Sequence, residues 1–412
     1  MNRIIRTLPK NYLYLTMKSL LLSFLLLLML PCSAQKAFKP VTNALKAKNY
    51  KEAIQQINKL RTDSTYRNNW KLCLYSIEAN RGLNDAENTK IYLKKSYDTI
   101  AFFSTTNEII REAIQLNLLE RELEIQEGKK PKQTRLVSEQ LQKYFPNLNA
   151  AARYYYKKEK YKEAMSYLRT CLDLPHTELG QSAHLSTRGG EQNAIYYLIS
   201  AYCTKQYDEV TRYDSLALIP VATRPTIIKY LALTAEAKTD TMGYHRQLRE
   251  GWKAYPHDAF FFTRLADYYN RNKYFKQTLQ LSAQQLNMDS TYTAAYMAQC
   301  VAHYELQQYD SCIVSAQRTL ACDSTYAEAH YYIGAAYVNK VELIDLPDHI
   351  TSRAYKKALA EQQELYKLAE PELETYQRMA PQAQKQWASL LYKVYLALNR
   401  GKKFAEIEKL MQ

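Results

Sequence analysis

"DSTYAEAHYYIGAAY" occupies Asp323–Tyr337, and "DSTYTAAYMAQCVAHY" occupies Asp289–Tyr304. The two stretches open with the same four letters, 34 residues apart (323 − 289). The register holds through the intervening chain. With "AFFFTRLADYYNRNKYFKQTLQLSAQQLNMD" from Ala259 laid on "TAAYMAQCVAHYELQQYDSCIVSAQRTLACD" from Thr293, Phe262 falls on Tyr296 and Ala266 on Cys300. Phe275 falls on Tyr309, Leu279 on Ile313, Leu286 on Leu320 and Asp289 on Asp323. Within each unit apolar residues recur at three and four, the period of a helix. A polar break splits each unit, so each reads as a helical hairpin. The repeated "DSTY" is then punctuation, with Asp and Ser capping the helix that follows.

Weaker copies lie upstream. "ALKAKNYKEAIQQINKLRTDSTY" at Ala44–Tyr66 carries Tyr50, Ala53 and Leu60 and ends in a third "DSTY". "NAAARYYYKKEKYKEAMSYLRTCLDLP" at Asn149–Pro175 carries Ala152, Tyr155, Tyr161, Ala164 and Leu172. "AIYYLISAYCTKQYDEV" at Ala194–Val210 reads as a further first helix and break, and "LLYKVYLALNRGKKFAEIEKL" at Leu390–Leu410 as a closing pair. This pattern resembles the tetratricopeptide repeat family, whose period is about 34 residues. The resemblance is specific over 256–337 and fades through 44–66 and 149–210. It implies an all-α, right-handed α-solenoid of stacked antiparallel helix pairs, about ten or fewer, without a sheet.

Composition agrees. Nine Gly and 12 Pro in 412 residues leave few tight turns, which suits helices joined by short loops. Tyr is abundant, 37 against 10 Phe and 3 Trp, as expected of half-buried surfaces that pack a ring and keep a hydroxyl wet. The net charge of +15 falls to +11 (15 − 4) if Arg3, Arg6, Lys10 and Lys18 are removed with a leader. The densest basic run, "YYYKKEKYKEA" at Tyr154–Ala164, interleaves Lys with Tyr as nucleic-acid surfaces do; its plainer reading is a solvated helix end.

Met17 and Lys18 precede an apolar core from Leu20 to Leu30 and the small residues Cys32-Ser33-Ala34. That is the form of a secretory signal, too short for a membrane span. Cleavage is expected after Ala34. Lipidation of Cys32 is the alternative, but Pro31 stands where lipoprotein signals carry a small residue. Met17 is a second possible start. The mature chain is then expected in the periplasm, where disulfides persist, with no transmembrane segment. The expected organisation is a signal at 1–34, an N-terminal helical region at 35–145, repeats at 146–220 and a C-terminal array at 221–412. Residues 84–145 are helical by periodicity without a clean repeat, and 338–370 insert about one helix. A long loop is expected at 173–193, which holds three of the nine glycines.

Enzyme motifs are missing from the sequence: there is no H-E-x-x-H, G-x-S-x-G, P-loop or G-x-G-x-x-G. His176 and His184 lie in the expected loop with no third ligand in view, so no metal or cofactor is expected. Cys300 and His303 stand one helical turn apart but occupy packing slots. Glu120, Glu122 and Glu124 read as a solvated helix face.

The family resemblance implies a binding groove lined by the exposed face of each first helix. Its positions are Thr263, Asp267, Asn270 and Arg271; then Met297, Val301, Tyr304 and Glu305; then Tyr331, Ala335 and Asn339. It implies a non-enzymatic scaffold that docks a protein or peptide; the secretory signal places that scaffold in the cell envelope and counts against a nucleic-acid partner. The competing expectation is an envelope enzyme, or a subunit of one, with its chemistry in 84–145 or 173–193. In the family, the small slots of the two helices of one repeat meet at closest approach. Those slots are Ala152 with Ala164, Ala266 with Thr278, and Cys300 with Cys312. The resemblance therefore places Cys300 against Cys312, either bonded or as two small reduced hydrophobes.

Overall fold

A computed structural model describes residues 36–128 and 133–411. The expected signal segment, its cut after Ala34 and the alternative lipid site at Cys32 lie outside the described residues. Among the described residues every regular element is a helix, and none is long and apolar enough to cross a membrane. The chain divides into two compact units, the first ending at Tyr230 and the second beginning at Leu231.

The first unit opens with the hairpin α1 (Lys39–Lys46) and α2 (Tyr50–Thr62). Its core joins Phe38, Val41, Ala53 and Ile57 to Leu72 and Ala79 of the next helix. Longer helices follow: α3 (Trp70–Tyr92), α4 (Thr99–Glu127) and α5 (Thr134–Lys157). Asp98 caps α4 by accepting the Ala101 N–H at 2.9 Å. Buried Asn84 of α3 donates to the Phe102 carbonyl and to the Thr105 and Thr106 hydroxyls, so a polar clamp fixes the α3–α4 register. Helix α5 pairs with α6 (Tyr161–Asp173).

The expected long loop at 173–193 is largely helical. A 3-10 turn at Leu174–His176 leads into α7 (Glu178–Ser182), and α8 (Gly190–Cys203) begins inside it. Pro175 starts the 3-10 turn, and the Thr177 hydroxyl caps α7 by accepting the Gly180 N–H at 3.0 Å. Gly180 is needed there because a Cβ would sit 1.9 Å from the Leu174 carbonyl oxygen. Gly180 thus permits close packing, and Gly189 supplies a left-handed residue (φ +81°) just before α8. A 3-10 turn at Tyr207–Glu209 and the single turn α9 (Asp214–Ala217) complete this part.

Helix α10 (Arg224–Ala237) contains the boundary between the units. The second unit continues as α11 (Thr241–Ala254), α12 (Ala259–Arg271), α13 (Phe275–Met288), α14 (Thr293–Glu305), α15 (Tyr309–Cys322) and α16 (Ala327–Val341). It closes with the 27-residue α17 (Arg353–Met379), α18 (Gln384–Ala397) and α19 (Gly401–Met411). Gly334 lets α17 approach α16, since a Cβ there would meet Leu373 at 2.5 Å.

The turns inside the hairpins share one conformation. Lys205, Thr239, Lys273 and Gln307 all have φ between +56° and +59°. The residue after each donates its N–H five residues back, as Tyr274 does to Tyr269 and Gln308 to His303. That is a Schellman-type ending with a non-glycine in the left-handed position. The four turns are spaced by 34 residues (239 − 205, 273 − 239, 307 − 273), so the repeat extends back to residue 205.

The "DSTY" segments are punctuation of a different kind from helix caps. Asp289 and Asp323 end the preceding helices in extended conformation. Each carboxylate accepts the N–H and hydroxyl of the Thr two residues on, at 2.6–2.9 Å. These are Asx turns, and the helix that follows has no side-chain cap. The Tyr of the segment turns inward: Tyr66 meets Phe38 edge-on at 5.7 Å, and Tyr292 meets Phe262 at 5.2 Å.

Candidate docking surfaces

Helices α12, α14 and α16 carry the positions expected to line a groove, and packing divides them. Thr263, Asp267, Arg271 and Glu305 are exposed. Asp267 and Arg271 form an i,i+4 ion pair at 2.9 Å. Asn270 is half-buried, and its side-chain oxygen accepts the Thr278 hydroxyl at 2.6 Å, tying α12 to α13. Met297 is 7% exposed and belongs to the core with Cys300, Ile313 and Ile333. Ala335 is buried too. These two are core positions, and Met297 is covered by Ile333 and Ala336 of the next first helix. Val301 is half-buried on the same core.

Tyr304 is half-buried among rings, 5.2 Å from Tyr332 and 5.9 Å from Tyr309, and accepts from Asn339 at 2.9 Å. Burial pushes its phenol up to about 12. Tyr331 lies between Tyr332 and Tyr376, at 5.1 and 5.2 Å. Much of the expected lining therefore holds the hairpins together.

A second surface lies on α11, α12 and α13. A cavity of about 470 Å³ is lined by Arg249, Trp252, Lys253, Leu265, Tyr269, Gln277, Gln280, Leu281 and Gln284. Arg249 and Lys253 stand one turn apart on α11. Gln277, Gln280 and Gln284 share one face of α13, at i, i+3 and i+7. No carboxylate is in the lining. The floor is fixed: the Trp252 indole donates to Gln285 at 2.7 Å, and Gln285 donates to the Pro256 carbonyl at 3.0 Å. His245 meets the Tyr269 hydroxyl at 3.1 Å, and burial, then Arg249, hold the imidazole below its usual pKa. Amides can pair with a peptide backbone in both directions, and the two cations favour a carboxylate. The residues on α11 lie in a repeat that the sequence alignment did not reach. The Gln spacing in "QTLQLSAQQ" was the available signal.

The first unit holds a cavity of about 390 Å³ with Ile114, Leu118, Leu174 and Leu179 in its walls. Arg121 pairs with Glu178 on its lining. Arg169, also on the lining, is held by Glu209 at 2.6 Å and by the Tyr197 hydroxyl at 2.8 Å. Deeper in the unit, buried Glu112 binds Arg61 through both oxygens at 2.7 and 2.6 Å. Burial first, and then Glu112, push the Cys73 thiol up to about 12, so it is no ready nucleophile. Glu120 is buried and accepts the Gln133 N–H at 3.0 Å, whereas Glu122 and Glu124 face solvent. The solvated face expected there covers only the latter two, because residue 133 folds back onto α4. Of the ionisable groups in 84–145 and 173–193, Glu112 is engaged by Arg61 and Arg121 by Glu178.

His176 and His184 are both exposed, and among the described residues no group of three His, Cys, Asp or Glu side chains is placed to hold a metal. His303 turns away from Cys300 to meet Gln308 at 2.7 Å. Cys300 and Cys312 are brought together, with sulfurs 3.5 Å apart and unbonded. In the basic-aromatic run the rings pack, Tyr155 on Tyr167 at 5.2 Å and Tyr156 on Tyr196 at 4.0 Å, and the lysines face solvent.

No protein-family model matches the chain, and no curated protein matches it. Solved structures do. The C-terminal part of a TPR repeat-containing protein from Cytophaga hutchinsonii is 15% identical, with a TM-score of 0.42, covering 63% of this chain and 92% of that one. MamA from Desulfovibrio magneticus RS-1 is 14% identical, with a TM-score of 0.31, covering 44% and 96%. The P58(IPK) TPR domain is 12% identical, with a TM-score of 0.26, covering 86% and 99%.

Proposed function

We propose that this tetratricopeptide-type repeat protein is a non-enzymatic scaffold, exported to the cell envelope, that docks a protein segment bearing an acidic group. The observation that carries the reading is the cavity on α11–α13: two cations, three amides in helical register and no carboxylate in its lining. An extended chain would exchange backbone hydrogen bonds with the amides and place a carboxylate by Arg249 and Lys253. The exposed remainder of the neighbouring helices, Thr263, Asp267, Arg271 and Glu305, extends the contact. Export rests on the charged, apolar and small-residue succession from Met17 to Ala34.

The test is affinity capture from envelope extract with the chain starting at Gln35, followed by Kd measurement on the captured protein. The pair Arg249→Glu and Lys253→Glu should weaken binding at least tenfold, with helicity unchanged. Arg271→Glu should weaken it less. Unchanged affinity in the Arg249 and Lys253 double variant would remove the cavity from the proposal. N-terminal sequencing of the exported chain should start at Gln35; a lipid-modified Cys32 start would replace free export with anchoring.

A further inference from the structure

The hairpin α14–α15 brings two thiols to one point. Cys300 and Cys312 are both fully buried, and their sulfurs are 3.5 Å apart. A disulfide needs about 2.05 Å, so closure asks for about 1.5 Å of approach, shared between two side chains and two helices. The surroundings hold the pair in place. Ala316, Met297 and Ile333 pack around it, and the Cys312 sulfur also sits 3.9 Å from the Tyr332 carbonyl.

We infer that Cys300 and Cys312 are a site of reversible disulfide formation, a covalent clasp across one repeat that an external disulfide can close. Chemically, one thiolate attacks the external disulfide and releases one small thiol. The second thiolate then attacks the mixed disulfide and releases the other. Two protein thiols become one disulfide, and the external disulfide is reduced to two thiols that take up the two protons. The neighbouring thiol and burial both keep Cys300 protonated in the closed hairpin, so attack proceeds from an opened state. Closure is consequently slow, and reduction of the bond proceeds through the same opened state. The bond joins positions 12 apart (312 − 300), which narrows the unfolded ensemble and steadies the hairpin.

Sequence makes the test clean. No Lys or Arg lies between Gln277 and Arg318, and this tryptic peptide contains Cys300 and Cys312 and no other cysteine. The full chain is equilibrated with oxidised glutathione until exposed Cys203 and Cys322 are modified, then alkylated and digested. The expected result is a 277–318 peptide about 2 Da lighter than the dithiol form, carrying neither glutathione nor alkyl group. The native chain should gain several degrees in Tm on oxidation. The gain should vanish in Cys300→Ser and in Cys312→Ser, each compared with its own reduced form. Recovery of the peptide as a dithiol, or with glutathione on either cysteine, overturns the inference. The mass measurement on the unaltered chain needs no variant to fold. A fall in Tm on closure would overturn the clasp.

Discussion

At the scale of single residues, the most telling positions are those where a side chain is tolerated at a cost or forbidden by a neighbour. Lys273 and Gln307 hold φ near +58°, where an L residue pays roughly 1–2 kcal/mol and glycine pays no such strain. Glycine loses more entropy on folding, about 0.5–1 kcal/mol, which offsets part of the gain. The pair Lys273→Gly and Gln307→Gly should therefore raise Tm by a few degrees, and a thermal melt reads it. Glycine at Gln280, inside α13, should instead cost about 1 kcal/mol. A lower Tm in the turn variant would show that these lysine and glutamine side chains earn contacts that offset their strain. Gly251 is the opposite case. A Cβ there would stand 2.2 Å from the ring of Phe261, which is fully buried and has no room to swing aside. Gly251→Ala should destabilise by roughly 1–3 kcal/mol, visible as a lower urea midpoint at unchanged m.

Elements show what the sequence could and could not convey. Residues 256–337 are legible because each hairpin keeps a small residue in its close-approach slot and an aromatic at the start of its second helix. Upstream the same geometry continues without that signature. Leu198 fills the place that Ala266 and Cys300 hold two and three repeats later, and the second helix of that repeat breaks into a 3-10 turn and a single helical turn. A pattern search reads side chains, whereas the register survives in the backbone turns at Lys205 and Thr239. Burial at the projected groove positions is not legible in the sequence: which face of α14 the next hairpin covers depends on stacking, and Met297 lies in the core. The closing elements carry a testable pH dependence. Buried Glu370 of α17 meets Arg400 at 2.8 Å and Lys403 at 3.2 Å across α18–α19. Burial alone would raise its pKa, but the hydrogen bonds from Arg400 and Lys403 outweigh it and hold the carboxyl below its ordinary 4.5. A depressed folded value means the stabilisation is complete above the unfolded pKa and is lost as pH falls through the folded one. Tm of the unaltered chain should thus exceed that of Glu370→Gln at pH 7, and the gap should narrow below about pH 4.5. A gap that stays constant down to pH 3 would mean that Glu370 acts by packing alone.

At the scale of the whole molecule, the boundary between compact units and the boundary between repeats do not coincide. The units part between Tyr230 and Leu231, inside α10, while the repeat register begins a new hairpin at Arg224. In a chain of hairpins, stability is a sum of repeat terms and nearest-neighbour terms, so a cut between repeats removes one interface and leaves the rest intact. A cut inside a helix does more. A chain starting at Leu231 keeps only the last seven residues of α10 (231–237), too few to hold a helix without its first turns. Those seven include Leu231 and Ala232, which are buried in the intact protein and would lose the rigid backbone that places them. The fragment 224–412 should therefore unfold in one cooperative transition by far-UV circular dichroism. The fragment 231–412, shorter by seven residues, should melt several degrees lower and bind more of an apolar dye. Equal melting of the two would show that α10 adds nothing to the repeats that follow it, and that the second unit truly starts at α11.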